Sequence, residues 1–154
     1  MNKEDIKKSC LAAIFSTITI GALTILTYKT ELGVFLIASF GSSMVLLFGY
    51  PENPFAQPKN IFFGHLLSAL VGMFFLYFIP LPIYIIIPAW VGFAVGLMIL
   101  FKVTHPPAGS NPIIVIIGSV SLDYLINPII IGTVIVLIFG IVLNRLILKK
   151  KYPI

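Results

Sequence analysis

The chain alternates between long apolar runs and short polar islands, and four of the runs are long enough to cross a bilayer. A helix of about 20 apolar residues spans the roughly 30 Å of hydrocarbon. Each of the four runs is apolar on all faces, as expected for a helix whose solvent is lipid. The pattern therefore predicts four transmembrane helices, over residues 9–28, 61–79, 83–101 and 128–148.

Two further apolar segments, 33–49 and 108–122, are shorter and interrupted. If both cross, nine basic residues fall on one side of the membrane, whereas seven do so if only the four long helices cross. Because basic residues accumulate on the cytoplasmic side, we predict six crossings with both termini cytoplasmic, in a plasma (inner) membrane. A four-span map stays open. The nine residues are Lys3, Lys7, Lys8, Lys59, Lys102, Arg145, Lys149, Lys150 and Lys151.

Composition excludes a soluble globule, since 59% of the 154 residues are hydrophobic and only 10% are charged. The net charge of +5 sits mostly at the edges of apolar runs, which marks a membrane border and not a nucleic-acid groove. A single cysteine, Cys10, excludes an internal disulfide and a cysteine-based metal cage, and two histidines are too few for a histidine-rich metal site. We expect neither a metal nor a cofactor.

The sequence carries a weak internal repeat at an offset of 68 residues. This offset pairs Gly41-Ser42 with Gly109-Ser110, and it lays long runs over long runs. With three crossings in each half, the halves would be inverted, as in many carriers and channels. The sequence thus predicts an all-α polytopic membrane protein with a single transmembrane domain, 1–154, built as a 3+3 inverted repeat of residues 9–79 and 83–148.

The two interruptions are the candidate binding elements. Pro106-Pro107 predicts an extended chain, after which Ser110 or Asn111 caps a short helix that has Pro112 in its first turn. Gly41-Ser42-Ser43 is predicted to open a half-helix over 44–49 in the same way. Two helix N-termini that face one cavity would bind an anion, because free amides and the helix dipole both favour negative charge. The alternative for residues 102–112 is a cytoplasmic loop.

His65 lies one turn into an apolar helix, where an ionisable group is costly unless it is paired or functional. His105 could donate to an anion, gate a path or shuttle a proton. Lys59 and Lys102 could attract an anion from the cytoplasm, although the topology rule alone accounts for them. The alternatives are purely structural roles. His65 would make a hydrogen bond to the backbone, and close helix contacts would account for four glycines, Gly64, Gly72, Gly132 and Gly140. Paired carboxylates, catalytic triads and phosphate loops are absent from the sequence, so we expect no enzyme.

Three stretches resemble the HPP family of small integral membrane proteins. They are His105-Pro106-Pro107-Ala108-Gly109, Gly41-Ser42-Ser43 followed by Leu46-Leu47-Phe48, and Ala56-Gln57-Pro58-Lys59-Asn60 followed by Gly64-His65-Leu66-Leu67-Ser68-Ala69. The resemblance implies four spans, in contrast to the six above. It also implies a substrate class, since some members from photosynthetic organisms are regarded as nitrite transporters.

We therefore expect a channel or carrier for a small monovalent anion, most plausibly nitrite, in a homo-oligomer. A non-transporting membrane scaffold is the main alternative, and a membrane enzyme that uses His65 and His105 is the third. Binding and pathway residues are predicted to be Gly41, Ser42, Ser43, His65, His105, Pro106, Pro107, Gly109, Ser110 and Asn111.

Overall fold

The computed structural model describes residues 2–154, and these residues form helices joined by short loops, without strands. Four helices are long and two are short. Two short 3-10 turns, Pro54–Ala56 and Pro106–Ser110, lie in the loops. The helices are α1 Lys3–Lys29, α2 Ala38–Gly49, α3 Pro58–Phe78, α4 Ile83–Leu100, α5 Asn111–Gly118 and α6 Leu125–Ile147.

The prediction of four long apolar helices is confirmed, since α1, α3, α4 and α6 are all long and apolar enough to cross a membrane. Helix α1 begins at Lys3 and not at Ser9, because Asn2 and Asp5 form a reciprocal capping box ahead of the apolar run. Inside α1, the hydroxyls of Thr19, Thr24 and Thr27 donate to the carbonyl one turn earlier. These polar groups are thereby satisfied without leaving lipid.

Helix α3 is the centre of the molecule. Half of its apolar window is buried within the protein, compared with 11% for α1 and 17% for α4. It contacts α4, α5 and α6, whereas the outer helices expose apolar side chains along most of their length. A side chain that points inward from α3 is therefore shielded from both lipid and water.

The first turns of α1 and the last residues of the chain, 149–154, lie at one end of the molecule, which we call the basic end. There the Lys8 ammonium lies 5.1 Å from the ring centroid of Tyr50, and Asn60 Nδ2 donates to the Thr104 carbonyl. The buried Tyr152 hydroxyl donates to the Ala56 carbonyl, and burial raises its pKa so that the phenol stays protonated. Lys59 and Lys102 are exposed at the same end.

The two interrupted segments differ locally from the sequence-based expectation. Helix α2 begins at Ala38, so the prediction that Gly41-Ser42-Ser43 opens a half-helix is wrong and these residues lie within the helix. The earlier start follows because the Thr27 hydroxyl accepts the Phe35 and Leu36 amides, which fixes the chain just before α2. The predicted extended chain at Pro106-Pro107 is instead a 3-10 turn, which tolerates proline at its first positions.

Each interrupted segment runs the length of a long helix. Residues 35–50 run antiparallel to α1, from the Phe35 amide at Thr27 to Phe48 beside Phe15, where the ring centroids are 6.0 Å apart. Residues 104–120 run parallel to α3, from the Thr104 carbonyl at Asn60 to the Val120 carbonyl, which accepts from the Tyr77 hydroxyl. The predicted helix at Pro112 is confirmed as α5, which begins at Asn111.

Candidate functional site

A polar cluster lies where α2, α3 and the two ends of the 3-10 turn Pro106–Ser110 meet. We call Ser39, Ser43, His65, His105 and Asn111 the histidine cluster. Ser43, His65, His105 and Asn111 have no exposed surface, and Ser39 retains 2% of its own. Buried polar side chains of this kind are costly unless each finds a partner.

Every side chain of the histidine cluster is hydrogen-bonded to another. Ser43 Oγ lies 2.8 Å from His105 Nε2 and 3.1 Å from His65 Nε2, so this one hydroxyl joins the two rings. Asn111 Nδ2 lies 3.1 Å from His65 Nδ1, and Asn111 Oδ1 accepts from Ser39 Oγ at 2.9 Å. The ring centroids of His65 and His105 are 5.0 Å apart.

The partners fix which atom carries each hydrogen. His105 Nδ1 lies 2.7 Å from the Phe55 carbonyl oxygen, which can only accept, so Nδ1 carries the hydrogen and a neutral ring accepts at Nε2. Asn111 Nδ2 also donates to the His65 carbonyl, so the same amide nitrogen donates to His65 Nδ1. His65 therefore carries its hydrogen on Nε2 and donates to Ser43. The Ser43 hydrogen has two acceptors in reach, His105 Nε2 at 2.8 Å and the Ser39 carbonyl oxygen at 3.2 Å, and goes to the nearer one, His105. The hydrogen bonds all run in one direction, from Asn111 to Phe55.

Glycine lets the cluster close. A Cβ on Gly64 would lie 2.8 Å from His105 Cβ and 3.0 Å from the Val103 carbonyl oxygen, and a Cβ on Gly72 would lie 2.9 Å from Pro112 Cα. Without these two glycines, the segment that carries His105 and Asn111 could not approach α3.

The cluster is a neutral site with donors and acceptors but without a carboxylate. An aromatic ring packs against the cluster, since the Phe40 and His65 rings meet edge-on with their centroids 5.1 Å apart. Among residues 2–154, no three side chains of the His, Cys, Asp or Glu type come together as metal ligands. The arrangement can hold hydrogen bonds to a small polar or charged species, and it can pass protons along the chain of donors.

The structure brings four of the predicted pathway residues together, namely Ser43, His65, His105 and Asn111, and separates the others from them. Gly41 and Ser42 are exposed on other faces of α2, and Gly41 lines a groove against α1. Of the remaining four, Pro106 is exposed, Pro107 is buried, Gly109 is half-buried, and the Ser110 hydroxyl donates to the Pro107 carbonyl.

Two groups that take part in the hydrogen bonds of the cluster were not predicted from the sequence. Ser39 lies one helical turn before Ser43, so the i, i+4 spacing would have marked it once α2 was known to begin at Ala38. The Phe55 carbonyl left no signal in the sequence, because a main-chain acceptor is independent of residue type. Its role depends on a loop contact between residues 50 positions apart.

Comparison with known proteins agrees with this membrane architecture. The chain is 29% identical over 162 aligned residues to a transmembrane protein of Dictyostelium discoideum, covering 99% of this chain and 52% of that protein. A second transmembrane protein of the same organism is 33% identical over 125 residues, which cover 77% of this chain and 44% of that protein. The chain thus spans about half the length of these relatives.

No solved structure matches the chain. The family described as "HPP, transmembrane region" matches residues 1–153, which include the whole histidine cluster and His105-Pro106-Pro107 itself. The chain therefore belongs to the HPP transmembrane family, as the three sequence stretches predicted.

Proposed function

We propose that this protein transports a small monovalent anion across the membrane and that nitrite is its main substrate. The observation that carries the proposal is the histidine cluster itself, which is polar, neutral and buried between membrane-spanning helices. Ionisable residues placed there are costly and typically mark a substrate or ion pathway. Nitrite comes from the family resemblance, and the absence of a carboxylate from the cluster favours an anion over a cation.

A carrier fits the cluster better than an open channel. The side chains of Ser43, His65, His105 and Asn111 have no exposed surface, so an anion reaches them only when the surrounding helices move. Alternating exposure of one buried site to the two sides is how carriers work. The exposed Lys59 and Lys102 at the basic end would raise the local concentration of anions there.

We infer that both interrupted segments cross the bilayer, which gives six crossings. Residues 35–50 are held against α1 at both ends, because Phe35 is bonded to Thr27 and Tyr50 lies under Lys8. Between Thr27 and Lys8, α1 rises about 28 Å, which is close to the hydrocarbon thickness. From Asn60 to Tyr77, which hold the two ends of segment 104–120, α3 rises about 26 Å. By the positive-inside rule, the basic end is cytoplasmic in a plasma (inner) membrane.

Contacts between the two halves support the inverted 3+3 repeat. A Cβ on Gly64 would meet the Val103 carbonyl oxygen at 3.0 Å, and a Cβ on Gly132 would meet the Phe35 carbonyl oxygen at 2.8 Å. Gly132 follows Gly64 by 68 residues, and Val103 follows Phe35 by the same 68. A contact reproduced with its two partners exchanged between halves is what a pseudo-twofold axis requires.

A second pair of contacts repeats the relation. Gly72 faces Val115, with a built Cβ 3.1 Å from the Val115 Cβ, and Gly140 faces Leu47, with a built Cβ 2.6 Å from the Leu47 Cδ1. Gly140 follows Gly72 by 68 residues, and Val115 follows Leu47 by the same number. The same offset relates Ser43 to Asn111, which places the polar centre of the cluster close to the axis.

Labelling of single cysteines tests the six crossings. In a Cys10→Ser background, Lys59→Cys and Lys102→Cys should react from the cytoplasmic side and Leu81→Cys from the outside. A map in which only the four long helices cross reverses all three assignments, whereas Glu31→Cys is external on both maps and serves as the control. Labelling of Lys59→Cys and Lys102→Cys from outside would overturn the inference.

We also expect a homo-oligomer. Gly92 and Gly96 on α4 leave space beside the helix, since a Cβ on either meets no atom within 4 Å. This spacing of small residues lets two transmembrane helices approach closely, and only 17% of the α4 window is buried within one chain. A second copy of this chain is the occupant we propose for that face.

Flux measurements on purified protein in liposomes test the function. We expect saturable, protein-dependent uptake of nitrite, with nitrate and formate as comparison anions. Protein-free liposomes measure the background, because undissociated nitrous acid crosses lipid unaided. Uptake equal to that background for all three anions would reject transport and favour the rival proposal, a membrane scaffold whose polar cluster only holds helices together.

A further inference from the structure

We propose that the histidine cluster binds a proton and the anion together, so that the protein is a proton–anion cotransporter. The inference rests on the proposed function and names the coupling ion of the same site. Its support is the unbroken sequence of hydrogen bonds through both histidines and the absence of any counter-charge beside them among residues 2–154.

The hydrogen bonds form a path along which a proton can move. His65 Nε2 donates to Ser43, and Ser43 donates to His105 Nε2, over distances of 3.1 and 2.8 Å. At the far end, His105 Nδ1 donates to the carbonyl of Phe55, a residue that is 40% exposed at the basic end. Each ring accepts at one nitrogen and donates at the other, which is the arrangement that a proton relay needs.

Electrostatics explains why a proton and an anion would enter together. The groups that touch the two rings are Ser43, Asn111, Phe40 and the Phe55 carbonyl, all of them uncharged. Helices α2, α4 and α5 contain no charged residue. Glu52 before α3, Lys59 on α3 and Lys102 after α4 are charged, and all three are exposed. A lone imidazolium or a lone anion would be buried without a partner, which is strongly unfavourable, whereas the pair neutralises itself.

The transfer balances one proton in against one proton out, with no change of oxidation state. When the cluster opens and the Asn111 amide and the Ser39 hydroxyl turn their hydrogens to an anion, His65 Nδ1 accepts a proton from the water admitted with that anion. His65 then gives its Nε2 hydrogen to Ser43, Ser43 gives its hydrogen to His105 Nε2, and the Nδ1 hydrogen of His105 passes to water once the loop that carries Phe55 opens at the basic end. An N–H bond forms and another breaks at each ring.

Passage of one proton leaves every hydrogen bond of the path reversed. Both rings then hold the opposite tautomer, and the Ser43 hydroxyl must rotate before another proton can follow. A path that resets only when the cluster opens passes one proton in each conformational cycle. We therefore expect about one proton to move with each anion.

Proteoliposomes that contain a pH-sensitive dye test the coupling. With nitrate as the probe, whose conjugate acid is fully dissociated and cannot leak through lipid, an inward proton gradient should drive uptake and acidify the lumen. Because proton and anion cancel in charge, a potassium–valinomycin potential should change the initial rate by less than about twofold. Nitrate uptake that follows the potential and leaves the lumenal pH unchanged would overturn the proposal while leaving transport intact.

A variant of His105 separates relay from structure. His105→Asn retains a donor for the Phe55 carbonyl but lacks the second nitrogen, so proton-coupled uptake should fall at least about tenfold. Thr133→Val is the matched control, since Thr133 lies on α6, is fully buried with an unpartnered hydroxyl, and stands outside the path. Equal proton-to-nitrate ratios in His105→Asn and wild type would contradict the relay.

Nitrogen NMR tests the site without relying on flux. The chain contains two histidines, so ¹⁵N-histidine labelling reports both rings and His105→Asn assigns them. We expect two neutral rings of opposite tautomer, and at pH 6 a rising imidazolium signal as sodium nitrate or nitrite is added. If both rings stay neutral when either salt is added, joint binding of proton and anion is refuted. If the rings become protonated with added anion but no flux is measured, the proposed transport is refuted instead.

Discussion

Gly132→Ala is expected to lower the melting temperature of the purified protein by several degrees. The added Cβ would lie 2.8 Å from the Phe35 carbonyl oxygen and 2.8 Å from Phe40 Cε2. Neither neighbour can yield easily, because the Phe35 amide is held by Thr27 and the Phe40 ring is completely buried against His65. Overpacking of this kind costs about 1–3 kcal/mol.

Gly21, in the middle of α1, provides the control. There an added Cβ meets nothing within 4 Å, so alanine should leave the melting temperature unchanged or raise it, since alanine favours a helix by up to about 1 kcal/mol over glycine. Thermal unfolding followed by circular dichroism in detergent makes the comparison. A Gly132→Ala protein as stable as Gly21→Ala would mean that α6 does not pack against the chain before α2.

Ser43→Ala is expected to have the largest effect on function, a loss of anion flux of about 10- to 100-fold. Removal of one hydroxyl leaves His65 Nε2 without an acceptor and His105 Nε2 without a donor, both of them fully buried. An unsatisfied buried group costs about 1–3 kcal/mol, and each 1.36 kcal/mol corresponds to about a factor of ten in rate.

Ser68→Ala controls for the loss of a buried hydroxyl. Ser68 is also completely buried within a helix and donates to the Ala108 carbonyl, but its hydroxyl is not hydrogen-bonded to either histidine. Initial rates of nitrite uptake, normalised to the amount of folded protein, should therefore separate the two variants. Equal losses of flux in both would show that the histidine cluster serves only to hold the helices together.

The four long helices could be predicted from the sequence because the length of an apolar run is itself the physical constraint. A span must be long enough to cross hydrocarbon and must satisfy its backbone internally, so 61–79 and 128–148 were recognisable without any tertiary information. His65 stood out as a candidate for a related reason, since an ionisable side chain within an apolar helix is costly unless it is paired or functional.

The geometry of the cluster could not be predicted, because it depends on where α2 begins. A helix that starts at Ala38 places Ser39 and Ser43 on one face, one turn apart, and turns Gly41 and Ser42 to other faces. The start itself is set by Thr27, which accepts two amides from residues eight and nine positions later. Such a contact leaves no periodic signal in a sequence.

The sequence by itself determined that this chain belongs in a membrane, which runs are long helices, and that His65 and His105 are the candidate site residues. Only the tertiary structure decided that one serine hydroxyl joins the two rings, and that Ser39 and a main-chain carbonyl complete the hydrogen-bonded cluster. Hydrophobicity acts through composition and run length, which can be read along the chain, whereas hydrogen bonds between residues far apart in the chain depend on helix register and close packing at Gly64 and Gly72, which exist only once the helices are assembled.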